Sequence, residues 1–297
     1  GSSIVLGGFQ QTAEFGPTTL EAAGDLDLFL AKYDPDGEPA GVLHAASTSI
    51  QLRPPLVPGG AAMGLGSTAD GSFLIGGFFN QTVTFAPGQP GETSLTATGG
   101  RDAFVARLDP DGVPAWRVRA GGDGETFVQD LAAGEDGSCV VTGGFSGQAT
   151  FGPGDPGETT LASAGDFDIF VARYQPDGRL DWVRRAGSNA GHWEWGTAVA
   201  LLPDAGPVVT GDFAGTAVFG AGQAGETSLT ASGDHDMFVA RFSAAGQLQW
   251  VRQAHGVARG YDIDVGPGGR PLATGKFFAD VTPGHGEPDA ATFTSAG

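Results

Sequence analysis

Cysteine and lysine are nearly absent from this chain of 297 residues. There is one cysteine, Cys139, and there are two lysines, Lys32 and Lys276. A single cysteine cannot form an internal disulfide, and its place in the apolar run "SCVVTGGF" predicts a buried strand residue rather than a reactive thiolate. The formal net charge of −19 argues against a basic face that binds the phosphates of nucleic acid, so we expect no nucleic-acid partner.

Long apolar runs are missing as well. No run approaches the roughly 18 residues that a membrane-spanning helix needs, so we expect no membrane-spanning segment. No secretory signal peptide is visible, yet the chain starts abruptly on a strand, and we expect it to be a segment of a longer protein. No stretch of about 11 residues or more has helical periodicity.

Glycine, in contrast, is abundant. The chain has 52 glycines and 19 prolines without the three-residue period of collagen, and this composition indicates many turns. Its 20 phenylalanines and 40% share of hydrophobic residues supply enough apolar surface for a folded core, which argues against disorder. The sequence therefore predicts an all-β protein of short strands joined by tight turns.

Two motifs recur along the chain in a fixed order. A stretch of the form "GDFDIFVARYQPDG" occurs four times, and a strand with tryptophan follows it in three of the four copies. The motif Gly-x-Phe occurs five times, starting at Gly7, Gly76, Gly143, Gly211 and Gly275. We predict a tandem repeat of about 67 residues, with repeats at about 1–59, 60–124, 125–192, 193–258 and 259–297, the last incomplete.

Each repeat is divided into strands by its turns. In the third repeat, "TFVQDLAA", "SCVVTGGFSGQATFG", "DIFVARY" and "RLDWVRRA" predict four strands, the second of them long and with glycine in its middle. Four strands per unit with meander turns is the pattern of a propeller blade, so we predict one β-propeller domain of four-stranded antiparallel blades, about five in number. The residues predicted to be structural are Phe29, Phe104, Phe170, Phe238, Trp116, Trp182, Trp250 and Asp102.

The repeat resembles a known family. The pattern "TGGFSGQATFG…TTLASAGDFDIFVARYQPDGRLDWVRRAG" is similar to the bacterial β-propeller repeat (the SBBP-type repeat) of myxobacterial and other bacterial cell-surface proteins and lipoproteins. The resemblance covers essentially the whole chain and implies a propeller fold and an extracytoplasmic location: periplasmic, at the outer-membrane surface or secreted. It implies no activity, because the family shares none. The first copy departs from the pattern by lacking the tryptophan, and the fourth by replacing the acidic turn with "SAAG".

Acidic pairs precede the third strand of three repeats. The second acid stands at the entry of the strand, where a carboxylate can accept hydrogen bonds from backbone N–H groups of the preceding loop. We predict this capping role and keep calcium binding by the pairs as the alternative. The Pro-Asp-Gly turn that follows lacks the later acid of a calcium loop and has the residues of a tight turn. The pairs are Asp25 and Asp27, Asp166 and Asp168, and Asp234 and Asp236; the second repeat has only Asp102.

The loops between repeats differ from one another, and we place the candidate binding site there. The loop "SNAGHWEWG" contains His192, Trp193 and Trp195, and the loop "HGVARGYDID" contains Arg259 and Tyr261. Tryptophan, tyrosine and arginine are enriched at binding hot spots, so we predict that these residues contact a protein or a glycan. The alternative is that one of the two tryptophans begins the next strand and packs inside the protein.

Nothing in the sequence points to catalysis. The five histidines are scattered, and no nucleophile elbow, phosphate-binding loop or Cys–His arrangement occurs. We therefore expect a non-enzymatic, extracytoplasmic binding or scaffold module without a cofactor. Two alternatives stay open: a structural accessory subunit of a larger assembly whose neighbours complete the strand edges, and a calcium-dependent cell-surface protein.

Overall fold

The structure is a computed structural model that describes residues 3–22, 27–47, 64–189, 191–278, 280–283 and 291–295. Every regular element among these residues is a β-strand. In the described part of the chain, no helix is long and apolar enough to cross a membrane. The first repeat contributes β1 (Ser3–Phe9), β2 (Thr12–Phe15), β3 (Thr18–Glu21), β4 (Asp27–Tyr33) and β5 (Pro39–Ser47).

The second, third and fourth repeats contribute six strands each. Those of the second are β6 (Leu65–Ser67), β7 (Phe73–Phe79), β8 (Thr82–Phe85), β9 (Thr93–Thr96), β10 (Asp102–Leu108) and β11 (Pro114–Gly122). Those of the third are β12 (Thr126–Ala133), β13 (Cys139–Phe145), β14 (Gln148–Phe151), β15 (Thr159–Ala162), β16 (Asp168–Tyr174) and β17 (Leu180–Gly187).

The fourth repeat contributes β18 (Trp195–Leu201), β19 (Pro207–Phe213), β20 (Thr216–Phe219), β21 (Thr227–Thr230), β22 (Asp236–Phe242) and β23 (Leu248–His255). The fifth contributes β24 (Ala258–Gly266), β25 (Arg270–Phe277), β26 (Asp280–Pro283) and β27 (Phe293–Thr294).

The sheets join strands from two successive repeats. In the third repeat, β12, β13, β16 and β17 lie side by side, and the outer strand β17 then pairs with the hairpin β20–β21 of the fourth repeat. The four larger sheets follow this plan, although the first lacks a strand before β1 among the described residues. Their orders are β1-β4-β5-β8-β9, β6-β7-β10-β11-β14-β15, β12-β13-β16-β17-β20-β21 and β18-β19-β22-β23-β26-β27, and β2–β3 and β24–β25 are two-stranded.

The prediction of one long strand over "SCVVTGGFSGQATFG" is wrong. The structure divides this segment into β13 and β14, which belong to different sheets. Gly147 lies between them with a φ of 63°, a left-handed conformation that glycine adopts without steric cost. The chain therefore turns out of its own sheet at this glycine and reaches the edge of the preceding one.

Phenylalanine rings cover glycines on the neighbouring strand. Phe170 lies opposite Gly143, and a Cβ added to that glycine would stand 3.1 Å from the phenylalanine ring. In the second repeat, Phe104 lies opposite Gly77, and Asp102 lies opposite Phe79. The pairing shows that the motif there is Gly77-Phe78-Phe79, one residue later than the sequence alignment placed it. The alignment was wrong because "GGFF" fits either register.

The hairpins β14–β15 and β20–β21 each add a phenylalanine to the core, packed on a phenylalanine of a strand in the next sheet. Phe151 of β14 packs on Phe170 of β16 at a centroid distance of 4.9 Å, and Phe219 of β20 packs on Phe238 of β22 at 5.0 Å. All four rings are buried, and burying each contributes on the order of 2 kcal/mol to folding. Cys139 is buried as predicted, and burial raises the pKa of its thiol to about 12.

Tryptophans join one sheet to the next. The indole N–H of Trp116 in β11 donates to the carbonyl of Pro176, which lies in the turn between β16 and β17, at 2.8 Å. The ring covers Gly178 of that turn, whose φ is 88°. Trp182 makes the same contact with the carbonyl of Ala244 at 2.9 Å. The Pro-Asp-Gly stretch is therefore a tight turn on which the preceding sheet packs.

This packing predicts unequal effects of two glycine-to-alanine substitutions. Gly178 and Gly154 have nearly the same φ, 88° and 86°, but a Cβ at Gly178 would lie 2.8 Å from Trp116, whereas one at Gly154 would meet nothing within 4 Å. Gly154→Ala should cost about 1 kcal/mol through its φ alone, and Gly178→Ala roughly 1–3 kcal/mol more through overpacking. Melting temperatures of the two variants measure the difference, and equal losses would contradict the tryptophan contact.

Candidate functional site

The loop before β18 is built around a buried tryptophan. Trp195 is 2% exposed, stacks on Phe167 at 5.1 Å and covers Gly144 of the preceding sheet, where an added Cβ would lie 2.6 Å from the indole. Trp195 therefore begins the strand and packs inside, as the alternative interpretation of the sequence held. It supports the site without offering a surface to a partner.

A buried glutamate fixes the same loop. The hydroxyl of Ser188 donates to Glu194 at 2.5 Å, and the backbone N–H of Ser188 donates to the other carboxylate oxygen at 2.9 Å. Burial raises the pKa of Glu194 to about 7, against the lowering effect of these hydrogen bonds. The two ends of the loop are therefore tied together, and the residues between them are held at the surface.

Trp193 and His192 form the exposed part of this loop. Trp193 is 41% exposed, and its ring packs edge-on against Phe167 at 5.5 Å. Its carbonyl lies 3.2 Å from Nε2 of His235, and the His192 ring lies 5.7 Å from the His235 ring. His235, which sequence reasoning missed, therefore connects the loop to the entry of β22.

Asp212 is the second residue that sequence reasoning missed. It stands in "TGDF", where the third repeat has glycine in "TGGF", and it is paired with Trp195 across β18 and β19. The side chain is 2% exposed, and Oδ2 has no hydrogen-bond partner among the described residues. His235 Nε2 lies 3.8 Å from this oxygen. Burial raises the pKa of Asp212 to about 7, while the charges of Arg259 and Lys276 lower it.

Strand β24 and its partner supply the cations. Arg259 and Lys276 lie opposite each other on β24 and β25, and both interact electrostatically with Asp212. The Lys276 ammonium stands 5.2 Å from the ring centroid of Tyr261, which is 36% exposed. The two predicted loops thus meet through shared neighbours. We call this surface the rim site: His192, Trp193, Asp212, His235, Arg259, Tyr261 and Lys276.

The rim site combines two exposed aromatic rings with cations and a buried acid. Exposed Trp193 and Tyr261 offer flat apolar faces, and Arg259 and Lys276 offer donors in a chain whose net charge is −19. Such a mixture of rings and hydrogen-bonding groups suits the recognition of a polar partner. In the sequence of the repeat, Arg259 and Asp212 stand where the preceding repeats have Trp195 and Gly144, and the electrostatic interaction of Arg259 with Asp212 corresponds to the packing of Trp195 on Gly144.

The acids at the strand entries have protein partners. The side chains of Asp102, Asp168 and Asp236 are buried, and each accepts a hydrogen bond of 3.0 Å from the backbone N–H four residues earlier. This geometry is that of the predicted capping role. Each acid also contacts a residue seventeen positions later on the adjacent strand. These contacts are Asp27 with His44, Asp102 with Arg119, Asp168 with Arg185 and Asp236 with Gln253.

The calcium alternative finds little geometric support. Asp166 and Asp234 are exposed, and Asp25 lies outside the described residues. No group of three or more His, Cys, Asp or Glu side chains in the described part of the chain is arranged to hold a metal ion.

The residues that contact the buried acids on the adjacent strand had a signal in the sequence. In all four copies, a polar residue stands just before an alanine in the last strand: His44, Arg119, Arg185 and Gln253.

No protein-family model matches the chain, and no curated protein is found to match it. The function of the rim site therefore has to be argued from its geometry.

The buried acid predicts how stability depends on pH. The folded pKa of Asp212, about 7, lies above its ordinary value of 3.8, so its ionisation destabilises the fold as pH rises from about 4 to 7, and the loss persists above 7. Asp212→Asn should raise the free energy of unfolding at pH 8 by roughly 1–3 kcal/mol and change it little at pH 4. Thermal melting at both pH values measures this.

A matched control for that experiment is available two residues before β22. Asp234 is exposed, so Asp234→Asn should leave the pH dependence of the melting temperature as in the wild type. Glu194 and Asp130, whose pKa values burial raises to about 7 and about 6, act equally in all three proteins. A gain from Asp212→Asn that is the same at pH 4 and pH 8 would contradict the burial of an ionising carboxyl.

Proposed function

We propose that this protein is a non-enzymatic, extracytoplasmic β-propeller of about five blades that serves as a binding or scaffold module for a protein or a glycan. The sheets of the second and third repeats pack on the next sheet through Trp116 and Trp182, which supports a radial arrangement of blades. The likeness of the repeat to the bacterial β-propeller repeat of cell-surface proteins supports the extracytoplasmic location. A rigid repeated framework with loops that differ at one end suits binding rather than chemistry.

The observation that carries the proposal is the rim site. Trp193 and Tyr261 are among the few large apolar side chains exposed in the described residues. Tyr261 lies beside Lys276, and His235, which contacts Trp193, interacts electrostatically with Arg259. Exposed aromatic rings next to arginine are the side chains that dominate binding energy at many interfaces. A ring of a sugar or an apolar side chain would lie on Trp193, and polar groups of the partner would reach Arg259.

The burial of the rim-site acid supports the non-enzymatic part of the proposal. Asp212 is the one rim-site carboxylate, it is 2% exposed, and it lies 3.8 Å from His235, beyond hydrogen-bonding distance. A general acid or base has to come within hydrogen-bonding distance of the proton that it transfers. Asp212 therefore positions its neighbours in this proposal and does not act on a substrate.

A structural accessory subunit is the second candidate, and one observation favours it. In the described residues, β25 pairs with β24 alone, so its other edge has no partner strand. Leu272 and Phe278, in and just after this strand, are each 61% exposed. A neighbouring chain that added a strand here would pair the free backbone groups and cover these side chains.

The binding proposal predicts the effect of removing both rings. Trp193→Ala combined with Tyr261→Ala should weaken binding to any recognised glycan or protein at least tenfold, about 1.4 kcal/mol, because exposed aromatic anchors supply contact area. A glycan array and affinity capture from envelope extracts of the source organism identify the partner, and calorimetry measures the change. Both rings are partly exposed, Trp193 to 41% and Tyr261 to 36%, so we expect the double variant to fold, and its melting temperature checks this.

Val5→Ala is the control, since Val5 is a similarly exposed apolar residue in β1, outside the rim site. It should bind as the wild type does. Equal binding by the double variant would place the interaction elsewhere on the protein. Absence of any partner, together with a large native particle in the source, would favour the accessory subunit.

A further inference from the structure

The contact between a tryptophan and a turn of the following sheet occurs in the second and third repeats and is missing from the first. In β11 and β17, the indole of Trp116 or Trp182 covers a turn glycine, Gly178 or Gly246, with the indole 2.8 Å or 2.6 Å from where a Cβ would stand. In both cases the indole N–H donates to a carbonyl of the turn. The ring and its donor together fill the space between the last strand of one sheet and the turn of the next.

The first repeat has glycine in place of this tryptophan. Gly41 lies opposite Lys32 across β4 and β5, the register at which Trp116 lies opposite Arg107 across β10 and β11. A Cβ added to Gly41 would meet no atom within 4 Å, so the space beside this residue is open. The residue that carries the indole in two other sheets therefore has no side chain here.

The turn that would receive the indole is nevertheless intact. The backbone N–H of Asp109 donates to Val113 at 2.9 Å, and Gly112, with a φ of 87°, donates to Asp109 at 2.9 Å. The turn from Gln175 to Arg179, on which Trp116 packs, has the same two bonds. By this equivalence, the carbonyl of Pro110 takes the place of the Pro176 carbonyl, the acceptor for the indole.

Leu43 covers the turn glycine but leaves a groove beside it. Its side chain reaches Gly112, whereas the same register position in β17 holds Arg184. The remaining groove has a volume of about 550 Å³ and lies between the hairpins β2–β3 and β8–β9. Its apolar walls include Leu20, Leu43, Pro87, Pro90 and Val113.

We propose that this groove binds the tryptophan side chain of a partner polypeptide, with the indole ring beside Gly41 and Leu43 and its N–H donating to the Pro110 carbonyl. We call it the tryptophan-less groove. Its volume lies within the ordinary range of ligand sites and exceeds a single indole. The residues that flank the tryptophan in the partner therefore also have room, between Leu20 on one side and Pro90 on the other, which favours a polypeptide over a free indole.

The site is independent of the rim site. It involves the first and second repeats, whereas the rim site involves the fourth and fifth. Loss of rim-site binding in the Trp193 and Tyr261 variant would leave the tryptophan-less groove unaffected, and the reverse also holds.

The test titrates the isotope-labelled protein with three probes and follows backbone amide shifts by NMR. The probes are the blocked peptides Gly-Ser-Trp-Ser-Gly and Gly-Ser-Leu-Ser-Gly and the single residue N-acetyltryptophanamide. The tryptophan peptide should shift the amides of Leu43, Gly112 and Val113 in a saturable way and bind at least tenfold more tightly than the leucine peptide. The single residue should bind more weakly than the tryptophan peptide.

Two substitutions at one position complete the test. Gly41→Trp should fill the groove with the chain's own indole, raise the melting temperature and weaken binding of the tryptophan peptide at least tenfold. Gly41→Ala adds a methyl group into open space and should bind the peptide as the wild type does. Unchanged binding by Gly41→Trp, equal binding of the leucine peptide, or no shift at Gly112 would each overturn the proposal. Binding of the single residue as tight as that of the peptide would overturn a polypeptide as the source.

Discussion

The pairing between the last strand of each sheet and the hairpin of the next repeat is the constraint on which the fold depends. A last strand such as β17 would otherwise expose a row of unpaired N–H and C=O groups, which attract other strands. The hairpin β20–β21 pairs with the end of this edge, with Ala186 opposite Phe219 and Gly187 opposite Val218. Each repeat therefore completes the sheet of the one before it, and the sheets are linked by backbone hydrogen bonds as well as by side-chain packing.

The same pairing determines which residues fit at the seam, where the last strand of one repeat meets the hairpin of the next. Gly187 faces the buried carboxylate of Asp168, and a Cβ added there would lie 2.5 Å from that group. The carboxylate accepts hydrogen bonds from the Arg185 side chain and from a backbone N–H of the loop before β16. Hairpin, strand end and loop thus meet at one buried acid. Asp102 and Asp236 stand at the corresponding points of their sheets and are equally buried.

Two differences between the repeats bear on the candidate binding sites. At the entry of the first strand, Trp195 packs on Gly144, whereas the corresponding Arg259 interacts electrostatically with Asp212. The register between the first two strands is the same in both repeats. That exchange converts an apolar contact between sheets into a charged one and creates the rim site. Gly41 has no side chain where two other sheets have tryptophan, and a groove lies beside its neighbours Val42 and Leu43.

Much of the fold could be predicted from the sequence, because the repeated motifs have a local cause. Glycine at positive φ, proline at a turn corner and alternating apolar residues indicate the strands of the third repeat within a few residues of where they occur. The partner of the hairpin could not be predicted, since nothing in "QATF" shows that it pairs with the preceding repeat. The alignment also failed at "GGFF", where two registers satisfy the same pattern and only the pairing of Asp102 with Phe79 decides.

The candidate site, too, was only partly predictable from the sequence. His192, Trp193, Arg259 and Tyr261 are recognisable by residue type in loops that differ between repeats. Asp212 had a visible signal, as the one acid in a Gly-x-Phe motif, but its meaning depends on the burial that the adjacent sheet imposes. His235 had no signal, because its role arises from a contact with the carbonyl of Trp193, 42 residues earlier.

The most direct test of the central constraint is a set of backbone nuclear Overhauser effects across the seam between the third and fourth repeats. Strand pairing between β17 and β20 predicts cross-strand effects that connect Ala186 and Gly187 with Val218 and Phe219, and equivalent effects between Ala120 and Phe151 one repeat earlier. Effects that connect β20 only with strands of its own repeat would contradict the pairing between repeats, and with it the linkage of the sheets described here.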